Sequence, residues 1–502
     1  MTIGVTPDND PPSTVAFVRE RLHAALVAPV RAFRWAYLPL LMIYFAYGAL
    51  GITAIADSFW VKNGLTLSAA QLAQIGVWLT LPWTIKMVFG ELVDTVPVFG
   101  SRRRIYVLIG AALVATSLLI LAGAAAKLIT FAKPETIYFI ASLMTVIGVV
   151  LQDVVADAMS TEVVPHFDDD GNPREQAEID RDLGMVQVLG RLSLSLGVFL
   201  TAGLAGWLAQ SLPYSTVFLI GLLVPLISVT GALTVRLEPG ESRPTDWRIL
   251  GGGLLFGATV VILGVSDALF KEEIVFMISM AVVIVMLARI TSEIDAVTKQ
   301  RIILAAILIF AFRATPSVGS GFQWYSIDRL GFDEAFFGTL GQFGALIALL
   351  ATWLFADAIT RQPVARVLFW LTVLGTVLAI PGLLLVFDVH HWTERMFGVG
   401  ARAIAVIDTA ATSPFAQLGI IPLLTLTAIY APRDHRATWF ALMGSLMNLA
   451  LVAGQLLTKY LNEIYVVERG SYGQLPALVV AVAVIGLVLP LTAILGLGRR
   501  VR

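Results

Sequence analysis

The chain has 502 residues, of which 58% are apolar and 14% charged, with 42 Gly and a mean hydropathy of +0.84. Soluble domains hold about 45 to 50% apolar residues, so too few polar side chains remain to cover soluble domains of this total length, and the chain reads as an all-α polytopic membrane protein. Its 34 basic and 35 acidic residues leave no overall positive field to gather nucleic acid. The absence of Cys excludes disulfides and thiolate chemistry, and five His with no H-x-x-x-H pair argue against a zinc site; no metal or cofactor is expected.

Residues 1–35 lack the apolar core of a signal peptide. Val15, Val18, Leu22 and Leu26 recur there at helical spacing around Arg19, Arg21 and His23, which predicts a short helix lying in the membrane interface. A spanning helix needs about 20 mostly apolar residues. Fourteen stretches meet or approach that length, near 36–57, 70–94, 104–127, 136–159, 183–208, 213–236, 249–267, 273–291, 301–325, 335–358, 364–388, 402–430, 436–461 and 474–498. An even number puts both ends on one side. Twenty-two Lys and Arg fall on the side of the termini and nine on the other, and basic residues are retained in the cytoplasm. Both termini are therefore expected to be cytoplasmic, in a protein of the bacterial inner (plasma) membrane.

A faint internal repeat accompanies the spans. Gly90-Glu91-Leu92-Val93-Asp94, followed by Arg102, Arg103 and Arg104, is echoed by Phe355-Ala356-Asp357 followed by Arg361 and Arg366; Leu189-Gly190-Arg191-Leu192 is echoed by Met443-Gly444-Ser445-Leu446. Two parallel six-helix halves are the architecture of the major facilitator superfamily. The expected division is a cytoplasmic tail at 1–35, a six-helix bundle at 36–236, a linker with two extra transmembrane helices at 237–300, a second six-helix bundle at 301–498 and a tail at 499–502.

Ionisable side chains inside a span cost at least about 2.5 to 3.5 kcal/mol each and mark function by default. Lys86, Gly90 and Asp94 recur four apart on one helix face. Gly90 permits close helix approach there, and Asp94 with Arg102, Arg103 and Arg104 is read as a cytoplasmic latch between the halves. Lys86, two turns deeper, serves either a substrate or a salt bridge. Asp153 and Asp157 also stand one turn apart, with Glu162 at the same helix end. Two carboxylates in a poorly solvated cleft cannot both ionise easily, so this trio is the candidate proton carrier, unless both Asp are tied to Arg191. Arg191 with Gln187, and Arg313 in the opposite half, offer forks that match carboxylates; the alternative for both Arg is an interdomain ion pair. Trp324 and Tyr325 could stack on a flat ring, although aromatics near a membrane interface are usually anchors. Asp408, Gln417 and Asn448 read as interhelical hydrogen bonds.

The ordered set of these segments resembles the folate-biopterin transporter family, a branch of the major facilitator superfamily. The matching residues are Pro82-Trp83 with Lys86, Gly90 and Asp94; Pro97-Val98-Phe99-Gly100-Ser101 running into Arg102; Asp153, Asp157-Ala158 and Glu162; Arg191; Pro316-Ser317, Leu330-Gly331-Phe332 and Phe337-Gly338; and Ile421-Pro422-Leu423-Leu424, then Ala437-Thr438-Trp439 through Ser445 with Asn448. Met87, the Glu91-Leu92-Val93-Asp94 ending and Ala431-Pro432 depart from the family pattern. The resemblance implies carriage of folates, pterins and antifolates, often with proton coupling. A folate offers tail carboxylates to Arg191, Arg313 or Lys86, and its pterin ring offers N–H groups to Asp153 or Asp157.

The expectation is therefore a secondary transporter, not an enzyme, that moves a folate- or pterin-like small molecule together with protons across the lipid bilayer. It is expected to act as a monomer and without nucleic acid. No Walker Gly-Lys-Ser/Thr pattern is present to couple ATP. Alternatives are a carrier of another organic anion or an amphiphile, and a non-transporting assembly or pigment-handling factor of the same fold. The charges retained inside the spans argue against a passive scaffold.

Overall fold

The computed structural model describes residues 33–167, 172–235, 237, 245–266, 268–292, 295–360, 362–429 and 436–498. The expected interfacial helix falls almost wholly on residues 1–32, and it lies outside the described residues together with the tail 499–502 and the Ala431-Pro432 pair. Among the described residues the chain is helical, with three isolated bridges in its loops.

In chain order the first six helices are α1 (Trp35–Gly64), α2 (Ala69–Thr95), α3 (Arg104–Ala125), α4 (Pro134–Glu162), α5 (Gln176–Ser211) and α6 (Tyr214–Thr234). A hairpin follows, α7 (Trp247–Val265) and α8 (Lys271–Ile290). The rest of the chain forms α9 (Ala296–Arg313), α10 (Ser320–Asp328), α11 (Glu334–Thr360), α12 (Val364–Val386), α13 (His390–Phe397), α14 (Ala401–Leu418), α15 (Ile420–Ile429), α16 (Arg436–Ile464) and α17 (Leu475–Leu497). Twelve helices among the described residues are long and apolar enough to cross a membrane, which makes this a multi-pass membrane protein. The two further spans expected from the sequence are α8, with Lys271, Glu272, Glu273 and Arg289, and α9, with Lys299, Arg301 and Arg313. Neither is among the twelve.

Several expected spans are interrupted, and in two of them the chemistry of the backbone stands out. The stretch near 301–325 breaks between α9 and α10, where Pro316 cannot donate to a helix and Gly319 turns at φ +75°. Freed backbone groups there are taken up by α16: the Ser317 N–H donates to Thr458 Oγ1 at 3.0 Å, and Asn462 Nδ2 donates to the Val318 carbonyl at 3.2 Å. The stretch near 402–430 divides at Gly419, between Pro414 and Pro422, although Gly419 keeps near-helical dihedrals (φ −64°, ψ −24°).

Small residues set the closest helix contacts. A Cβ added at Gly206 of α5 would meet Gly338 Cα of α11 at 2.8 Å, and one at Gly338 would meet Gly206 Cα at 2.7 Å. Only glycine lets these backbones touch. Gly90, expected to serve such an approach, has nothing within 4 Å of an added Cβ; in α2 the contact is made by Val88 instead, over Gly253 of α7.

Helix α2 packs on α16 and α5 on α11. The hairpin covers one of these two seams: Val275 and Val283 of α8 share a core with Val77 and Trp78 of α2 and with Trp439 and Leu446 of α16. On α7, Leu254 and Leu255 are more than 70% exposed, a face suited to lipid.

Candidate functional site

Pro82 interrupts α2, whose regular geometry fails at Ile85 (φ −105°, ψ 21°). Lys86 opens the next helical segment, so the kink sets the direction in which its ammonium leaves the helix. Its Nζ meets Asp153 Oδ2 at 2.5 Å and Asp157 Oδ2 at 2.9 Å, both on α4. One turn of spacing on α4 places both carboxylates around a single ammonium. Tyr44 of α1 donates its hydroxyl to the other oxygen of Asp157, at 3.1 Å. Below this pair, Gln187 of α5 donates to Ser160 Oγ at 2.5 Å, and the Ser160 hydroxyl donates to the Asp157 carbonyl at 2.6 Å. The cluster thus joins α1, α2, α4 and α5. It borders a cavity of about 20 Å³, room for roughly one water, where Tyr44, Tyr47, Gln152, Asp153 and Ser228 meet apolar side chains such as Ile43, Val149 and Val224. Tyr47 lies face to face with Trp83, ring centroids 6.1 Å apart.

Arg191 is not the partner of these carboxylates. It is exposed and forms no ion pair among the described residues, although its charge acts on Asp153. Lys86 holds both Asp instead because the kink of α2 carries it to α4. Arg313 ends α9 beside the helix break and donates through Nε to the Met447 carbonyl at 3.1 Å; no carboxylate meets it among the described residues. Arg191 and Arg313 therefore do not make the interdomain ion pair weighed from sequence.

The cytoplasmic group also differs from expectation. Arg103 binds Asp94 Oδ1 at 2.7 Å and Glu162 Oε1 at 2.5 Å, and it donates to the Val93 carbonyl at 3.1 Å. This triad fastens the ends of α2 and α4 to each other, so it braces one bundle and does not latch two. Glu162 is engaged there, apart from the Asp153–Asp157 pair. Arg104 caps the end of α6 through the Val235 carbonyl at 2.8 Å, and Arg102 takes no part in the triad. Trp324 is 1% exposed, with the Arg469 guanidinium 4.1 Å above its ring. In this conformation it has no face open to a ligand. Asn448 donates to the Trp83 carbonyl at 3.0 Å, and Asp408 accepts from the Gly382 N–H at 2.9 Å, the interhelical bonds expected of them.

The end of the bundle opposite the termini, called distal below, is where residues 36–236 and 301–498 are tied. Lys62 pairs with Asp328 at 2.6 Å, and Tyr472 donates to the same carboxylate. Arg469 donates to the carbonyls of Lys62, Leu67 and Val61 at 2.7, 2.8 and 3.1 Å. Gln323 donates to Ser58, and Tyr214 to Glu334 Oε1 at 2.8 Å. Among the described residues, the polar side-chain contacts between these two parts lie in the distal half or, for Asn448 with Trp83, at mid-depth.

The hairpin joins this tie through two adjacent carboxylates at the start of α8, which the sequence reading did not single out. Glu272 is 2% exposed. Its Oε1 accepts from Gln74 at 2.7 Å and Trp78 at 3.0 Å on α2, while Lys459 of α16 lies 3.5 Å from Oε2. Lys459 and Tyr460 both reach Glu273 Oε1, at 2.9 and 2.5 Å.

The helix order, the paired seams and a charged cluster set between helices define a transporter of the major facilitator fold. A POT family transporter solved in complex with 5-aminolevulinic acid superposes with a TM-score of 0.64, covering 93% of this chain and 96% of that one at 16% identity. Within that class the chain belongs to the BT1 family, whose model matches residues 48–501. Among curated relatives, the folate-biopterin transporter of Synechocystis sp. is 28% identical over 85% of this chain and 76% of its own length. Folate transporter 1 of Plasmodium falciparum is 21% identical over 84% of this chain and 72% of its own. The resemblance read from Pro82-Trp83 to Asn448 thus agrees with the family.

Proposed function

We propose that this chain is a proton-coupled secondary transporter of folate- or pterin-type anions, working by alternating access in a bacterial inner membrane with both termini cytoplasmic. Two relatives carry folate in their names. The observation that carries the reading is the Lys86–Asp153–Asp157 cluster, where two carboxylates share one ammonium between the helices.

The chemistry runs as follows. With both Asp ionised, the cluster has one negative charge more than Lys86 neutralises. A proton on Asp157 removes it and weakens that carboxylate's hold on Lys86. The ammonium, with the unpaired forks of Arg191 and Arg313, is then available to the two carboxylates of a folate tail. The pterin amino group and ring N–H have Asp153 as an acceptor. Proton release restores the Lys86 pairs and expels the anion, which couples the two fluxes. Closure of the distal end supports an inward-facing state, reached by rocking a bundle at 36–236 against one at 301–498. The linker 237–300 contributes two more spans, for fourteen in all, and the working unit is a monomer.

The test is thermal stabilisation of the detergent-purified protein by folic acid, reduced folates, methotrexate, biopterin and unrelated organic anions at acidic and neutral pH. Selective stabilisation by pterin-bearing ligands, stronger at acidic pH, is expected. A response confined to unrelated anions would leave the fold standing and remove the substrate.

A further inference from the structure

The loop between α12 and α13 holds a group that the transport reading does not use. Asp388, His390 and His391 each bring one ligand atom to within 4.8 Å of the others. The absence of an H-x-x-x-H pair argued against a metal in this chain, yet adjacent histidines can serve when a turn carries them. Here His391 N–H returns to the Asp388 carbonyl at 3.2 Å, and Asp388 sits at φ +56°, a conformation Asp tolerates better than most residues. The two imidazole centroids are 4.1 Å apart at 40°.

The decisive residue is His390. It is 5% exposed, and its Nδ1 is buried without a hydrogen-bond partner. A buried polar nitrogen left unpaired costs about 1 to 3 kcal/mol, so its retention needs a reason. A buried ring nitrogen with no hydrogen-bond partner is placed to offer its lone pair to a metal ion. Asp388 is held from the other side: the Tyr325 hydroxyl shares its one hydrogen between the Leu385 carbonyl at 2.9 Å and Asp388 Oδ1 at 3.1 Å. His391 and Asp388 are exposed and can rotate onto the fixed His390.

We propose that Asp388, His390 and His391 form a binding site for a divalent transition cation of the Zn²⁺ class. Two imidazoles and one carboxylate suit such a borderline cation and not Mg²⁺ or Ca²⁺. Three protein ligands leave a fourth position for water. Tetrahedral bonds of about 2.0 to 2.2 Å require the three ligand atoms to draw closer together, a movement that the exposed side chains supply. The site is continuous with the distal tie: Tyr325 packs edge-on against Tyr472 at 5.5 Å, Tyr472 donates to Asp328, and Asp328 pairs with Lys62. A bound cation therefore braces the closed distal end.

The experiment uses the full-length protein in detergent, purified without a polyhistidine tag and stripped with chelator. Titration with ZnCl₂ by calorimetry is expected to give one ion per chain, undisturbed by excess MgCl₂, and CoCl₂ to give the visible bands of a tetrahedral site. His391→Ala and Asp388→Asn change exposed side chains, so the fold is kept, which an unchanged elution profile checks; each is expected to weaken Zn²⁺ at least tenfold and to abolish the cobalt bands. A wild-type protein that binds no Zn²⁺, or variants that bind it as tightly as the parent, would overturn the assignment.

Discussion

Lys86 divides one ammonium between two carboxylates, and that shortage of positive charge makes the cluster responsive to protons. Breaking a fully buried ion pair costs about 3 to 5 kcal/mol; the Lys86 side chain is 34% exposed, so water softens the loss. Lys86→Met is expected to cut uptake at least tenfold in proteoliposomes, and wild-type rates from that variant would remove Lys86 from the cycle. Asp157→Asn is expected to keep substrate exchange and lose accumulation against a gradient; accumulation at the parental level would take the proton from Asp157. Arg191→Lys and Arg313→Lys keep charge but lose the fork. Each is expected to raise the Kd of folic acid about tenfold, near 1.4 kcal/mol, with biopterin binding unchanged, as calorimetry can read. The three central charges were legible in the sequence because an ionisable residue inside an apolar span stands out. Their pairing was not: helix spacing put Asp153 and Asp157 on one face, but the choice of Lys86 over Arg191 depends on the kink at Pro82 and Ile85. Tyr44 carried no signal, being one aromatic residue in an apolar helix.

At the level of helices, the hairpin is more than a filler between halves. Glu272 takes hydrogen bonds from Gln74 and Trp78 on α2 and faces Lys459 on α16, so one carboxylate touches both sides of the α2–α16 seam. Glu272→Ala leaves those partners buried and unpaired, and is expected to lower the thermal midpoint more than Glu272→Gln, which keeps an acceptor for Gln74 and Trp78. Equal midpoints for both variants and the parent would reduce the hairpin to lipid packing. Helix positions followed from hydropathy, since length and apolar content are local properties. The breaks at 314–319 and at Gly419 were missed because apolar composition runs through them, although Pro316 and Pro414 were visible. Glu272 and Glu273 were not singled out, because adjacent glutamates at a helix start carry no local sign of burial and only tertiary packing buries Glu272. Gly90 shows the reverse error: a glycine on a charged face looked like a contact and faces open space, while Gly206 and Gly338 make the real one.

Taken as a whole, the molecule is fastened at its distal end, while Arg191 and Arg313 form no ion pair among the described residues. Because the natural chain has no Cys, introduced thiols report without background. Lys62→Cys with Asp328→Cys, joined by a short bis-thiol reagent, is expected to hold the distal end shut and stop transport, with each single variant still active after the same treatment. The fold class and family were legible from composition, span order and motifs spread along the chain; the conformation was not, since it is set by contacts between residues such as Lys62 and Arg469 that are hundreds of positions from their partners.

The most direct measurement is uptake of radiolabelled folic acid by proteoliposomes containing the purified protein, with and without an imposed pH gradient. Accumulation above equilibrium that requires the gradient, collapses with a protonophore and is competed by biopterin is the expected result. Equilibration indifferent to the gradient, or no uptake from a protein that folic acid fails to stabilise, would contradict a proton-coupled folate carrier.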